Sequence, residues 1–257
     1  MCDLVSENIF PIFASNSRGM KKIRLTVLTA VILMAACEAA NAQFGIHAGY
    51  VNSVTDFKTS KSSDPLKCHG FHLGIEYDFD IVRGLSVQPG IQYSYVAQGD
   101  ESTIKFGSFK QSDNVDIVEH YLEIPAYLKY TFDFFPEVFG MYVFAGPTVG
   151  LGLSSSLIIS RSGVENTRVS YNFYNGRIRS ENVTADLKAF VEKQEGEKIL
   201  QPFDILVGGG VGFNLIRDLD LRAGCNYGLV NRMSKAYRND NYSANRYQIY
   251  AGLSLVF

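Results

Sequence analysis

Apolar and polar residues alternate with period two over much of the chain beyond residue 43. The alternation is plainest over 246–257. There Tyr247, Ile249, Ala251, Leu253, Leu255 and Phe257 share one face, against Arg246, Gln248, Tyr250, Gly252, Ser254 and Val256. Successive strand side chains point to opposite sides, so this is a β-strand with one unbroken apolar face. Its last residue is an aromatic on that face.

Earlier stretches repeat the pattern. Phe44–Tyr50 sets Phe, Ile, Ala and Tyr against Gly45, His47 and Gly49. Phe71–Phe79 opposes its apolar residues to Gly70, His72, Gly74, Glu76 and Asp78. Leu85–Tyr95, Leu122–Phe132, Met141–Leu151, Phe203–Leu215 and Leu219–Tyr227 behave alike, which with the terminal strand makes about eight.

The connections sort by length. Those near Asp80–Gly84, Asp133–Gly140 and Ile216–Asp218 are tight, while Asn52–His69, Ala97–Val118, Ser154–Pro202 and Leu229–Asn245 are long and polar. Short and long alternate, so antiparallel strands put all the long ones at one end. A sandwich has no reason to sort its loops this way. An outer-membrane barrel does, with short periplasmic turns and long external loops.

The second face carries Gly together with Glu76, Asp78, Glu123, Lys129, Asp204, Arg222 and Arg246. A continuous apolar surface on the other face would aggregate in water but is required in lipid. The expected fold is therefore all-β: an eight-stranded antiparallel up-and-down transmembrane β-barrel with a polar interior. The terminal strand, through Tyr247, Ile249, Leu253, Leu255 and Phe257, then reads as a signal for the barrel assembly machinery.

Composition agrees. The chain has 257 residues, 46% hydrophobic and 19% charged, with a formal net charge of −2. That balance gives no footprint for nucleic acid. Tyr (15) and Phe (18) are plentiful, as strands and membrane interfaces favour.

The N-terminal region reads as a targeting segment. Met20-Lys-Lys-Ile-Arg opens a charged region, Leu25–Ala36 is apolar, and Ala40-Asn-Ala42 has the small-x-small form of a cleavage site. Residues 1–19 fit no signal peptide and read as upstream of the true start; 20–42 are then a cleaved signal and 43–257 the barrel. Met34-Ala-Ala-Cys37 offers lipid attachment at Cys37 as an alternative. Cys68, ahead of the second strand, and Cys225, on the apolar face of the seventh, are expected to be unpaired. No cysteine spacing suggests zinc.

The long connection 154–202 has patterns of its own. Val169, Tyr171 and Phe173 alternate before Asn175-Gly176, a hairpin signal. Ala185–Glu195 places Leu187, Phe190 and Val191 on one helical face between a Thr184 N-cap and Gly196.

Ser86-Val-Gln-Pro-Gly-Ile-Gln-Tyr-Ser94, Tyr121-Leu-Glu-Ile-Pro-Ala-Tyr-Leu-Lys-Tyr130, Phe144-Ala-Gly-Pro147 and Phe203-Asp-Ile-Leu-Val-Gly-Gly-Gly-Val-Gly212 resemble strands of the PorT-like outer-membrane β-barrel family. The resemblance spans the mature chain and implies a barrel in the outer membrane. It says little about activity. A secretion-machine partner rests on it alone.

Candidate catalytic groups are His47, His72, Glu76 and Glu123, which a hydrolase would need beside a nucleophile. By parity all point into the lumen, away from outer-leaflet acyl chains. The run Gly208–Gly212 lies in a strand, so it is no nucleotide loop. The expectation is a protein without catalytic residue, cofactor or metal. Strand polarity puts Glu76 and Asp78 near the height of Lys129 and Arg222, and Glu123 and Asp204 near that of Arg246. Buried charges are costly unless paired, so these seven are expected to form a network closing the lumen. Outer-membrane lipid and an extracellular or secretion-machine protein are the expected partners. A small-solute channel and a lipid-modifying enzyme are the alternatives.

Overall fold

The computed structural model describes residues 43–58, 63–98, 113–135, 139–161, 167–181, 196–216, 218–238 and 242–257. The expected upstream segment and signal peptide, Cys37 and the helix expected at 185–195 lie outside them.

The strands are β1 (Gln43–Lys58), β2 (Ser63–Val82), β3 (Leu85–Ala97), β4 (Asp113–Phe135), β5 (Phe139–Arg161), β6 (Thr167–Asn172), β7 (Ile178–Glu181), β8 (Phe203–Ile216), β9 (Leu219–Gly228) and β10 (Ser243–Val256). Eight of them form an antiparallel ring in the order β1-β2-β3-β4-β5-β8-β9-β10, closed where β10 pairs with β1 from Gly45↔Val256 to Lys58↔Ser243. All eight strands expected from the alternation are present. The β2–β3 turn is the tightest described, with Gly84 at φ 80°, a conformation that costs a residue without Cβ nothing extra.

Burial follows parity. On β2, His72 is 1% exposed and its neighbour Leu73 52%. Ile46, Phe71, Ile124, Leu128, Val149, Leu151 and Val211 also face outward. Polar and charged side chains fill the inside, with inward glycines between them. This is the reverse of a soluble barrel, because here the outer solvent is hydrocarbon.

At the end away from the short turns the strands run further than the alternation predicts. The region 52–69, expected to be a loop, is mostly strand: β1 reaches Lys58 and β2 starts at Ser63. Cys68 therefore lies inside β2 and is buried, whereas Cys225 is exposed on β9; both are unpaired. β4 likewise starts at Asp113 and β5 continues to Arg161. The reason is a change of solvent. Above the lipid the outward positions are Asn52, Lys67, His69, Asp116, Ser154, Ser156 and Ser160, while Val51, Val96, Ile117, Leu157 and Ile159 form an apolar core within.

A β-bulge marks the change on β5. Tyr121 pairs with Gly152 and His120 with Ser154, leaving Leu153 unpaired and switching the parity of everything beyond it. β5 also changes neighbour, from β8 over Gly140–Leu151 to β6 over Ser156–Arg161. The hairpin β6–β7 is the one that Asn175-Gly176 signalled. With the upper parts of β4 and β5 it makes a small external sheet.

Candidate functional site: a charged lumen under an external cap

Nearest the short turns, Lys129 Nζ donates to Asp78 Oδ2 at 2.8 Å and lies 4.3 Å over the Tyr142 ring. One step higher, Arg222 Nη1 is 2.5 Å from Glu76 Oε2. His47 Nδ1 is 3.2 Å from the same oxygen, and Ser254 Oγ donates to Oε1 at 2.9 Å. Higher again, Arg246 reaches Glu123 Oε1 (2.8 Å) and Asp204 Oδ2 (3.2 Å) with separate nitrogens. Glu123 also accepts from Ser94 (2.8 Å), Gln92 (2.9 Å) and Gln248 (2.9 Å). The structure thus brings the seven charges singled out in the sequence into three separate clusters, each with at least one cation and one carboxylate.

Between the middle and upper clusters lies a cavity of about 10 Å³ lined by Gln88, Tyr127, Thr148, Asn226 and Tyr250 among others, room for one water. Inward glycines make the bulky residues possible. A Cβ on Gly224 would sit 2.6 Å from the Tyr250 hydroxyl, and one on Gly212 would overlap the Tyr142 ring.

A fourth cluster escaped sequence reasoning. Arg232, in the connection between β9 and β10, is fully buried at the top of the barrel. It donates to Tyr174 Oη at 2.8 Å and Thr55 Oγ1 at 3.4 Å, and lies 3.9 Å from Glu119. Glu119 accepts from Ser155 at 2.9 Å. Tyr121 links the levels, with Arg246 3.9 Å and Arg232 5.3 Å from its ring centre. Burial disfavours the Arg232 charge, but Tyr121, Tyr174 and Glu119 outweigh it and raise its pKa well above the usual range. Parity flagged neither residue: Arg232 is in no strand, and Glu119 lies between the connection ending at Val118 and the alternation that starts at Leu122. Asp220, held by Asn214 at 2.8 Å, is a further inward acid that strand parity contained but that was not singled out.

Around Arg232 the connections fold into a cap. Leu200, Met233 and Ala244 pack with Phe57, Phe173, Tyr174 and Ile199. Asn231 Oδ1 accepts from the amides of Met233 and Ala244, both at 3.0 Å, and Gln201 donates to the Met233 carbonyl at 2.7 Å. Arg232→Ala removes the central charge-assisted bonds, worth about 1.5–3 kcal/mol. Trypsin cleavage after the exposed Lys235 and Arg238 is expected to quicken roughly 10- to 100-fold by that measure. An unchanged cleavage rate would show that the cap stands without Arg232.

His47 and His72 face the lumen with rings 5.5 Å apart, and His72 meets Tyr250 edge-on at 5.9 Å. His120 contacts the Tyr93 hydroxyl at 2.6 Å. Among the described residues no group of three His, Cys, Asp or Glu side chains is placed to hold a metal. On the terminal strand, Ile249, Leu253, Leu255 and Phe257 face outward and exposed, and Phe257 stacks on Phe44 with ring centres 6.4 Å apart.

An apolar belt facing outward, a closed ring of antiparallel strands and a lumen filled with paired charges define a transmembrane β-barrel. The chain belongs to the outer membrane protein β-barrel domain family, whose model matches residues 13–233. It is an integral protein of the outer membrane. Among solved structures it is similar to Ail, the attachment invasion locus protein of Yersinia pestis (14% identity, 84% of this chain and 99% of that one, TM-score 0.41). Neisserial surface protein A gives 14% identity, 83% and 97% coverage, and a TM-score of 0.42. The outer membrane enzyme PagL gives 12%, 79% and 97%, and 0.37. No curated protein sequence matches the chain.

Proposed function

We propose that the protein is a non-catalytic, non-conducting barrel that carries a folded external cap for binding a partner at the cell surface. The observation behind this reading is the filling of the lumen. Charge clusters occupy it at successive heights, and the cavity between two of them takes about one water. An ion crossing it would have to break buried pairs, each strongly unfavourable to separate.

The absence of catalysis is supported by how His47, Glu76 and Glu123 are engaged. Ser254 donates to Glu76, and the other oxygen of Glu76 binds Arg222. His47 Nε2 is 3.1 Å from the Gln92 side-chain oxygen. A serine activated by histidine needs a direct contact between the two. Here the carboxylate holds the serine proton and a glutamine occupies the imidazole.

The resemblance to PorT-like barrels supports a narrower reading, in which the bound partner belongs to an envelope or secretion machine. The outward residues Tyr247, Ile249, Leu253, Leu255 and Phe257 are the surface the barrel assembly machinery would read.

Planar-bilayer recording tests the closure. The wild type is expected to give no steady conductance, and Arg222→Gly combined with Glu76→Gly a small ohmic leak. Steady, large conductance from the wild type would overturn the reading in favour of a solute channel.

A further inference from the structure

We infer that Lys67 and His69 form an outward-facing site for the phosphate group of an outer-leaflet lipid. Height comes first. The outward residues of β2 are apolar from Phe71 through Leu73, Ile75, Tyr77 and Phe79 to Ile81. Those ten residue steps cover about 33 Å of strand at ~3.3 Å each. Tilted by about 40°, they span about 25 Å, the height of the lipid-facing band of such barrels. His69 is the first outward position above that band and Lys67 the next. The neighbouring strand agrees: Tyr50, opposite Phe71, is 51% exposed, and the next outward residue is Asn52, opposite His69. Groups at this level meet headgroups.

The imidazole is set up as a donor. Asn52 Nδ2 lies 2.9 Å from His69 Nδ1, and the Tyr50 hydroxyl contacts the same nitrogen. With the Asn52 amide nitrogen as the donor, Nδ1 accepts and the ring proton sits on Nε2. The ring stacks on Tyr50 with centroids 6.1 Å apart, which fixes its plane. Nε2, at the far side of the ring, has no partner among the described residues and is open to the surroundings.

Lys67 supplies the charge. It is exposed on the same face and makes no hydrogen bond or ion pair among the described residues. Asp56, the carboxylate on that face of β1, is already held by Lys58 at 3.2 Å and Ser63 at 2.6 Å. A lipid phosphate between Lys67 Nζ and His69 Nε2 would take one charge-assisted and one neutral hydrogen bond while its chains lie along Phe71 and Leu73.

A phenol–imidazole pair recurs at the rim, where Tyr93 contacts His120 at 2.6 Å and Tyr95 meets that ring edge-on at 5.2 Å. The charged residue above it on the outward face of β4 is Asp116, so that place repels phosphate.

The test is native mass spectrometry of the full mature barrel released from nanodiscs holding equal phosphatidylcholine and lipid A, whose phosphates are unshielded by choline. The wild type is expected to retain lipid A over phosphatidylcholine by about tenfold, the scale of one charge-assisted hydrogen bond. Lys67→Gln with His69→Leu should bring the ratio near unity. Lys198→Gln with Lys235→Gln, which removes cap charge, should leave it unchanged. Equal retention by the wild type, or an undiminished ratio in the rim variant, would overturn the site. If the double variant fails to assemble, Lys67→Gln alone, which touches no hydrogen bond described, reads the same ratio. Inorganic phosphate added to the wild type separates the sources. Loss of lipid A preference at millimolar phosphate would mean a free-anion site and overturn the assignment to lipid.

Discussion

Arg246→Ala is expected to destabilise the barrel by about 3–5 kcal/mol, the range for stranding buried partners of an ion pair. The arginine is fully buried and serves two carboxylates, Glu123 and Asp204, from separate nitrogens. Its removal also strips the Tyr121 ring of the cation 3.9 Å away. Neither acid has another cation within ion-pair distance among the described residues. Each must then stay charged without a cation or take up a proton, and either course weakens folding. Arg246→Lys keeps the charge but cannot bridge two acids with a planar fork, so its loss should be intermediate. Urea titration of folding into lipid vesicles, followed by the gel shift between folded and unfolded forms, measures the effect. Arg246→Met combined with Glu123→Gln and Asp204→Asn should recover most of the loss, because no buried charge is left over. A triple variant as unstable as Arg246→Ala would assign the cost to packing rather than charge.

Gly212→Val is expected to cost about 1–3 kcal/mol through overpacking, and folding yield with it. A Cβ at Gly212 would overlap the Tyr142 ring. That ring has little freedom to move, since Lys129 lies 4.3 Å from its centre and Phe144 packs beside it at 6.1 Å. Tyr142→Ala removes the obstacle. Combined with Gly212→Val it should fold better than Gly212→Val alone, a coupling that a double-mutant cycle reads directly. Additive losses in that cycle would mean that Gly212 is required by the backbone and not by the ring.

The sequence carried the ring of strands because lipid imposes one rule on every strand at once. His72 and Leu73, or Glu123 and Ile124, cannot exchange faces, so alternation is strict wherever hydrocarbon is the outer solvent. Above the lipid the rule lapses. Asn52, Lys67, Asp116 and Ser156 are as suited to a loop as to the wet face of a sheet, and the bulge at Leu153 breaks the period besides. These strand extensions therefore have the composition of loops. The lumen charges were legible for the same reason that the strands were, since parity alone sends Asp78, Lys129 and Arg222 inward. Which acid meets which base depends on register across the ring, and pairings such as Arg246 with Glu123 cross half the chain. Arg232 carries no periodic signal. Its burial follows from the way the cap folds over the mouth, which no local pattern encodes.

The change of neighbour along β5 has a mechanical consequence. The hairpin β6–β7 is joined by strand pairing to the upper part of β5, and β5 is continuous with the wall that pairs with β8 below. β4 runs beside β5 from Asp113↔Arg161 down to Phe135↔Phe139. A partner tugging on the external sheet therefore loads one long two-stranded ribbon, tilted by about 40° as strands of such barrels are. The component of the load along the strands would strain the ladder bonds together in shear rather than peel them apart in succession. Tension from outside the cell would be spread through the barrel wall, and the charged column in the lumen would be spared.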